Sequence, residues 1–220
     1  ENPLIDKIPI IEAVRHKVRI GALYNLPIDN QTNDMELQNE KWNIRFGKQG
    51  NWVEQSVEMA ERTFLASSLK TQHYETMLNL YYTPAKVYKW AGSDGTCNRY
   101  GESEAEIVQM FYACSKLKPL LQAIEHFLGD IIGVWVVLTP TLVLLGVLDP
   151  AQINECVKKE KYLLFMAKAI LQLCIASDWL KSELPAFENW RARLLALQIL
   201  ELNLYRLKGY RKRRLGQRIW

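Results

Sequence analysis

The sequence predicts an all-α, multi-helix protein with one short irregular loop that has the outline of a zinc knuckle. Apolar residues recur at helical spacing along most of the chain. Capping residues followed by proline, or by glutamate three positions later, mark several helix starts. Of 220 residues, 49% are hydrophobic, 11 are glycine and 8 are proline. This composition supports a sizeable core and excludes disordered, collagen-like and low-complexity classes.

The first half of the chain carries two apolar stripes. Asn51 has the residue type of a helix cap. The stripe that follows it consists of Val53, Val57, Ala60 and Phe64. The next stripe consists of Leu69, His73, Met77 and Leu80. Thr83 and Pro84 then have the residue types of a cap and a first-turn position, so we expect a short helix there.

Similar signals predict the later helices. Their expected starts are the capping box Ser103/Glu106, Pro119, the pair Asp149–Pro150, and the residues after Pro185. The last helix is expected to end at Gly209, because glycine is the usual residue just past a helix C-terminus. Only the residues around 134–138 have an extended pattern, and no internal repeat is present.

One uncharged run, residues 131–148, is long enough to raise the question of a membrane span. Thr139 and Pro140 lie in its middle and predict a break, because proline removes a backbone donor and clashes with the preceding turn. The flanking residues are Asp130 and Asp149, and no basic cluster adjoins either end. We therefore expect two buried core pieces, the second beginning with Thr139 as a cap, and no membrane span.

The expected organisation is an N-terminal helical lead-in (1–50), a helical segment with the knuckle-like loop (51–132), a C-terminal helical segment (133–209) and a basic tail (210–220). Residues 51–209 are expected to pack as one unit. The N-terminal stretch has no apolar run of the signal-peptide type. The four cysteines are too few and too scattered for a secreted disulfide scaffold. A nuclear or cytoplasmic location follows.

Positive charge is concentrated at the C-terminal end. Residues 186–220 contain nine Lys and Arg and two Glu, a net +7; the whole chain carries +4, so residues 1–185 carry −3. Basic runs attract phosphate backbones through counterion release, although a solvated, frayed terminus has the same composition. The expected nucleic-acid contacts are Lys86, Lys89, Trp90, Arg99, Arg206, Lys208, Arg211, Lys212, Arg213, Arg214 and Arg218.

Other aromatic residues at helical spacing are interpreted as core rather than as base-stacking platforms. They are Trp42, Trp52, Trp135, Trp179, Trp190, Tyr81, Tyr82, Phe111 and Tyr112. Trp90 is the exception, because Lys86 and Lys89 lie beside it in the sequence.

Five short elements follow one another along the chain. They are a Tyr-x-Thr-Pro element (Tyr81, Thr83, Pro84), a Cys–Gly turn (Cys97, Gly101), an aromatic-aromatic-x-Cys helix (Phe111, Tyr112, Cys114), a Thr-Pro-x-x-x-Leu-Leu-Gly segment (Thr139, Pro140, Leu144, Leu145, Gly146), and a Trp-x-Lys before a Pro-x-x-x-x-Trp helix (Trp179, Lys181, Pro185, Trp190). In this order they resemble the C-terminal region of LINE-class non-LTR retrotransposon proteins, downstream of the reverse transcriptase. Trp42 also resembles the family's upstream Lys-Trp element, and the resemblance covers roughly residues 20–210.

The resemblance implies a mostly α-helical nucleic-acid-binding appendage that helps the polymerase engage template RNA or target DNA. RNA or DNA, and the rest of the retrotransposon polyprotein, are the implied partners. In the family the cysteine loop is a Cys-Cys-His-Cys zinc knuckle. Here Tyr100 and Gln109 stand at the second and third ligand positions, and phenol and carboxamide are poor zinc ligands. Cys97 and Cys114 are therefore expected to be the remnant of this zinc site and to bind neither zinc nor another cofactor. The alternative is that ligands from elsewhere in the fold complete the zinc site; the candidates are His73, His126 and Cys156.

No motif indicates an enzyme. The sequence has no Gly-rich phosphate loop, G-x-S-x-G or H-E-x-x-H, and the reverse transcriptase and endonuclease of the resembled proteins would lie N-terminal to this chain. Two functions stay open: a nucleic-acid-binding module, or a decayed or host-retained helical scaffold that acts through protein–protein contacts. Loss of the zinc ligands favours the scaffold if binding needs a zinc-ordered loop, whereas binding through charge would survive that loss.

Overall fold

The structure is a computed structural model that describes residues 28–63, 66–92, 94–97, 99, 101, 105–149, 160–177 and 183–207. For residues 28–34, 90, 91, 201, 202 and 204–207 it describes the backbone alone. Every regular element within these ranges is helical, which confirms the all-α prediction.

The described helices are α1 (Ile28–Phe46), α2 (Trp52–Thr63), α3 (Ser67–Met77), α4 (Pro84–Ala91), α5 (Lys118–Ile132), α6 (Pro140–Leu145), α7 (Lys161–Ser177) and α8 (Phe187–Leu207). Between α4 and α5 lie a π-helical turn (Gln109–Ala113) and a 3-10 turn (Ser115–Leu117).

Helix α7 is the centre of the fold. Residues 163–172, 174 and 175 are all buried, so α7 has no solvent face over most of its length, as expected for a helix that is hydrophobic all round. Helices α2, α3, α6 and α8 pack against it, and α6 also contacts the π turn. Residues before and after position 133 share this single core.

The predicted break at residues 139–140 is confirmed. Helix α5 ends at Gly133, whose φ is +79°, and an extended stretch leads to Thr139. The Thr139 hydroxyl accepts a hydrogen bond from the Leu142 amide at 3.2 Å, and Pro140 occupies the first turn of α6. Val136 is only 4% exposed, so both pieces belong to the core. In the described part of the chain, no helix has the length and apolar character needed to cross a membrane.

Helix α1 belongs to the same packed unit. Trp42 is fully buried, and its Nε1 donates to the Met77 carbonyl at 2.9 Å; Gln38 donates to the same oxygen at 2.7 Å. The packed unit therefore begins before residue 51. Asn39 also accepts the Trp52 amide at 2.8 Å, so α1 supplies a side-chain cap for α2 that the local sequence around Asn51 does not show.

Three predicted boundaries lie outside the described residues: the capping box at Ser103, the helix start at Pro150 and the helix end at Gly209. In the described part after the loop, helical backbone begins at Ile107 and passes into the π turn. The central helix is described from Lys161 onward.

Candidate functional site

The expected nucleic-acid contacts around α4 include an exposed surface, here called the α4 surface and defined as Tyr82, Lys86, Tyr88 and Lys89. Tyr82 is 69% and Tyr88 57% exposed, and Lys89 is exposed too. Thr83 caps α4 by accepting the Lys86 amide, and Pro84 fills the first turn. The cap therefore fixes where the helix starts and which side chains face solvent.

Lys86 is held more tightly than an ordinary surface lysine. Its ammonium donates to the Asn79 carbonyl and, at 3.0 Å, to the Tyr81 carbonyl. Burial, and next the nearby Arg45 charge, lower the pKa of Lys86. Its main structural effect is to fasten the 79–81 loop to α4, directly before Tyr82 in the chain.

Arg99 does not belong to this surface. It is only 6% exposed, and its Nη1 donates to the Met110 carbonyl at 2.8 Å. Arg99 as a nucleic-acid contact stays a prediction, but in this conformation the side chain is buried and its Nη1 holds the backbone of the π turn. The sequence offered no sign of this contact, which depends on how the loop folds.

The remaining predicted contacts lie outside what the structure describes. Lys208 and the basic tail are outside the described residues. Arg206 lies within α8, and Trp90 within α4, but their side chains are not described. The tail prediction therefore remains a prediction.

The aromatic residues divide between core and surface. Buried members are Trp42, Trp52, Phe111 and Trp190, as expected. Tyr82 and Trp135 are exposed instead, Trp135 to 65% with its ring edge against His126 at 5.5 Å between centroids. For these two residues the core expectation is wrong, because Tyr82 precedes the cap of α4 and Trp135 lies on the extended stretch after α5.

The described residues of the predicted cysteine loop include one closed turn. The Gly101 amide donates to the Cys97 carbonyl at 2.7 Å, closing the turn, and Gly101 has φ +77°. Cys97 and Cys114 are both buried, at 1% and 0% exposure. Arg99 bridges the turn to the π turn.

The donor set in this loop does not fit zinc. Burial is the largest influence on the Cys114 thiol and raises its pKa, whereas the nearby Arg99 charge lowers it. Structural zinc takes four ligands, and the described part of the loop offers two cysteines. Within the described residues, no cluster of three or more His, Cys, Asp and Glu is placed to hold a metal, so His73 and His126 do not complete the site there; Cys156 lies outside those residues.

A second polar arrangement lies in the core, where the sequence did not predict one. Lys168 Nζ lies 2.5 Å from His73 Nδ1, and His73 Nε2 lies 2.9 Å from Ser56 Oγ. Ser56 Oγ in turn donates to the Leu145 carbonyl at 2.7 Å. These groups join α7, α3, α2 and α6 through one chain of hydrogen bonds, here called the core relay (Ser56, His73 and Lys168).

The direction of the core relay follows from its last acceptor. Because Ser56 gives its only hydrogen to the Leu145 carbonyl, it must accept from His73 Nε2, which therefore carries the ring hydrogen. A second contact of 3.2 Å from Nε2 to the Ser56 carbonyl requires the same tautomer, since a carbonyl only accepts. His73 Nδ1 is then the acceptor for Lys168.

Burial makes both basic groups of the relay favour their neutral forms. Desolvation, and then the adjacent Lys168, lower the pKa of His73 well below 6.5. Desolvation alone lowers the pKa of Lys168 well below 10.5. A neutral lysine still donates a hydrogen bond, so the relay stays satisfied when Lys168 loses its proton.

The direction of the hydrogen bonds in the core relay does not activate Ser56 as a nucleophile. A catalytic base would accept the serine proton, whereas here His73 donates to Ser56. A surface pocket of about 240 Å³ lies beside α2 and α6, and none of the relay residues lines it; its lining residues are Gln55, Glu58, Met59, Leu142, Gly146, Val147, Leu148 and Lys161. The relay joins helices and reaches no ligand pocket among those described.

One sequence signal does point to the relay. Lys168 is the single charged residue between Tyr162 and Ser177. A helix this apolar is buried on every side, so its one lysine must find an acceptor in the core. The identity of that acceptor depends on tertiary packing.

Comparison with protein-family models and with curated proteins gave no match.

Proposed function

We propose that this chain is a nucleic-acid-binding module, of the kind found downstream of the reverse transcriptase in LINE-class retrotransposon proteins, and that it assists engagement of template RNA or target DNA. The observation that carries the proposal is the charge separation: +7 on residues 186–220 against −3 on the remainder. A net positive segment of this density binds phosphates by releasing counterions. Catalysis would belong to other parts of the parent protein, and the location would be nuclear or cytoplasmic.

The α4 surface supports the same proposal with a different chemistry. Exposed tyrosines beside a lysine combine a stacking face with a phosphate partner, as surfaces that bind single strands do. Tyr82 and Tyr88 are exposed, and the Lys86 ammonium donates a hydrogen bond to the Tyr81 carbonyl, next to Tyr82 in the chain. We infer that the tail supplies most of the salt-dependent affinity and the α4 surface supplies contacts to unpaired bases.

A salt titration of binding to duplex DNA and to single-stranded RNA tests the tail. Each phosphate neutralised contributes about −0.9 to the slope of log K against log salt on duplex and about −0.7 on single strands. If Arg211, Lys212, Arg213 and Arg214 each contact a phosphate, replacing all four by glutamine flattens the slope by roughly 3 to 4 on duplex. Unchanged affinity and slope would show that the tail is only a solvated terminus.

Single substitutions test the α4 surface. Lys89→Gln is expected to flatten the duplex slope by about 0.9. The matched control is Lys70→Gln, because Lys70 is already paired with Glu61 at 2.7 Å. Tyr82→Ala is expected to cost about 1–3 kcal/mol of binding on single strands and little on duplex. Equal losses on both ligands would contradict a stacking role.

The scaffold alternative is favoured by one observation. Ile199 and Leu200 on α8 are 50% and 51% exposed, although α8 buries Trp190 and Leu194 on its other face. If the full chain shows no affinity for RNA or DNA even at low salt, this apolar strip becomes the better candidate site, and the functional partner would be a protein.

A further inference from the structure

We propose that Arg45, in the last turn of α1, binds a phosphate group beside the α4 surface. Its side chain is only 19% exposed. Two of its guanidinium nitrogens, Nε and Nη1, are buried and have no hydrogen-bond partner among the described residues. Buried polar groups are nearly always hydrogen-bonded, so two unused donors on one arginine indicate that an acceptor binds there.

The contacts that Arg45 does make leave these two donors unused. The guanidinium carbon lies over the Trp42 ring, 5.3 Å from its centroid, and this contact supports the flat face of the group. Oε2 of Glu106 lies 3.8 Å from Nε, which is too far for a hydrogen bond. Nε and Nη1 also do not bond the last carbonyls of α1, as a basic residue at a helix C-terminus often does. The ring contact therefore positions Arg45 without satisfying it.

Glu106 is the group that an incoming anion displaces. Its side chain is 49% exposed, and it meets Arg45 only through this long ion pair. A guanidinium donates two parallel hydrogen bonds to a phosphate, and arginine is the residue best suited to such bidentate binding. A phosphate that replaces the Glu106 carboxylate thus gives Arg45 the hydrogen bonds that the carboxylate does not provide.

The backbone places this site next to the α4 surface. The Ala85 amide, at the start of α4, donates to the Ala105 carbonyl at 3.3 Å. Lys86 and Glu106 are the next residues of these two segments, so the ion pair of Arg45 with Glu106 lies at the same junction. The site itself does not depend on the proposed function, whereas the source of its phosphate, a strand bound at the α4 surface, rests on it. A free phosphate is the other source.

Inorganic phosphate is the probe for the site. Sodium phosphate replaces sodium chloride at constant ionic strength, while NMR follows the arginine Nε–H signals of the isotope-labelled full chain. The signal that is missing from Arg45→Gln is expected to shift with phosphate and to saturate. Glu106→Gln removes the competing carboxylate and is expected to bind phosphate about two- to fivefold more tightly, the fold-change that corresponds to an exposed ion pair.

Single-stranded RNA tests the source of the phosphate. Arg45→Gln is expected to flatten the slope of log K against log salt by about 0.7, the value for one phosphate contact on a single strand. The matched control is Arg62→Gln, because Arg62 already has a carboxylate acceptor on Glu58 at 2.7 Å; it is expected to keep the parent slope. A phosphate response with an unchanged RNA slope, or in a chain without affinity for RNA, supports the site and assigns it to a free phosphate. Absence of RNA affinity at low salt refutes the proposed function alone.

The proposal is overturned if the Arg45 signal does not respond to phosphate, or if Glu106→Gln binds phosphate no more tightly than the parent. Either result leaves the proposed function standing wherever the parent chain binds RNA. Urea unfolding checks each variant. If Arg45→Gln does not fold, Arg45→Lys assigns the signal, and Glu106→Gln, which keeps Arg45 and its contact with Trp42, still decides the outcome.

Discussion

Replacing Lys168 by methionine changes how the stability of the protein depends on pH. Lys168 is 1% exposed, with His73 Nδ1 as its hydrogen-bond acceptor and the Phe165 ring 5.1 Å away. Methionine keeps an unbranched side chain of similar length and removes the ionisable group. Because the pKa of Lys168 is well below 10.5 in the folded state, folding releases a proton that the unfolded chain keeps.

The sign and size of the effect follow from proton linkage. Where the unfolded state binds one more proton than the folded state, the free energy of unfolding rises by about 1.4 kcal/mol per pH unit. For Lys168 this applies between its lowered folded pKa and the ordinary value of 10.5. Stability from this group is therefore lost as the pH falls below 10.5. His73 adds a slope of the same sign below its ordinary pKa of 6.5.

Urea unfolding of the parent and of Lys168→Met at about pH 8.5 and pH 9.5 measures the difference. The parent is expected to gain more stability than the variant between these two conditions, by up to about 1.4 kcal/mol. Their absolute difference is a poorer test, because the variant also leaves His73 Nδ1 without its donor, at a cost of about 1–3 kcal/mol. Lys161→Met, at the exposed start of the same helix, is the control and keeps the parent slope. Equal slopes for the parent and Lys168→Met would refute the reasoning, since Lys168 would then be charged in the core.

Two further substitutions test the packing around α6. Gly146→Ala is expected to be severely destabilising, since Gly146 has φ +71° and an added Cβ would overlap the Phe165 ring. The control is Gly133→Ala, at φ +79° with open space around it, which is expected to cost only about 1–2 kcal/mol of backbone strain. If denaturant curves show equal losses of stability for the two variants, a clash with Phe165 does not explain the loss at Gly146. Val136→Asp is expected to lose on the order of 3–5 kcal/mol, because a buried carboxylate without a partner must be neutralised or desolvated. Val137→Asp, at 39% exposure, is expected to change stability by less than about 1 kcal/mol; matching midpoints for the two aspartates would show that residue 136 is not core.

Features set by neighbouring residues could be predicted from the sequence. Thr139 caps α6 and Pro140 fills its first turn because both effects act within four residues. The cap and proline that open α4 were predicted for the same reason. Each of these signals places a helix end without any knowledge of what packs against the helix.

Features set by distant residues could not be predicted in the same way. Asn39 satisfies amides at the start of α2, and Trp42 donates to a carbonyl 35 residues away. Nothing in the sequence near either residue indicates its partner. The predicted boundary at residue 50 therefore separates α1 from residues that it contacts in the fold. The burial of Arg99 could not be predicted for the same reason, because its acceptor, the Met110 carbonyl, is 11 residues away in the chain.

Lys168 shows how far a sequence argument about buried groups can reach. The apolar run 162–177 predicts a helix that is buried on all sides, so its single lysine is expected to be buried too. A buried lysine needs a hydrogen-bond acceptor that carries no charge itself. A carboxylate would hold the lysine as an ion and would make a second charge to bury, whereas a neutral imidazole accepts the hydrogen bond and leaves both groups uncharged. The chain contains three histidines, and the apolar stripe of α3 already places His73 toward the core. Composition and periodicity thus make His73 one candidate for the acceptor. Which acceptor Lys168 uses, and the contact with Ser56 that fixes the ring hydrogen on Nε2 and so frees Nδ1 to accept, depend on how α2, α3 and α7 pack together.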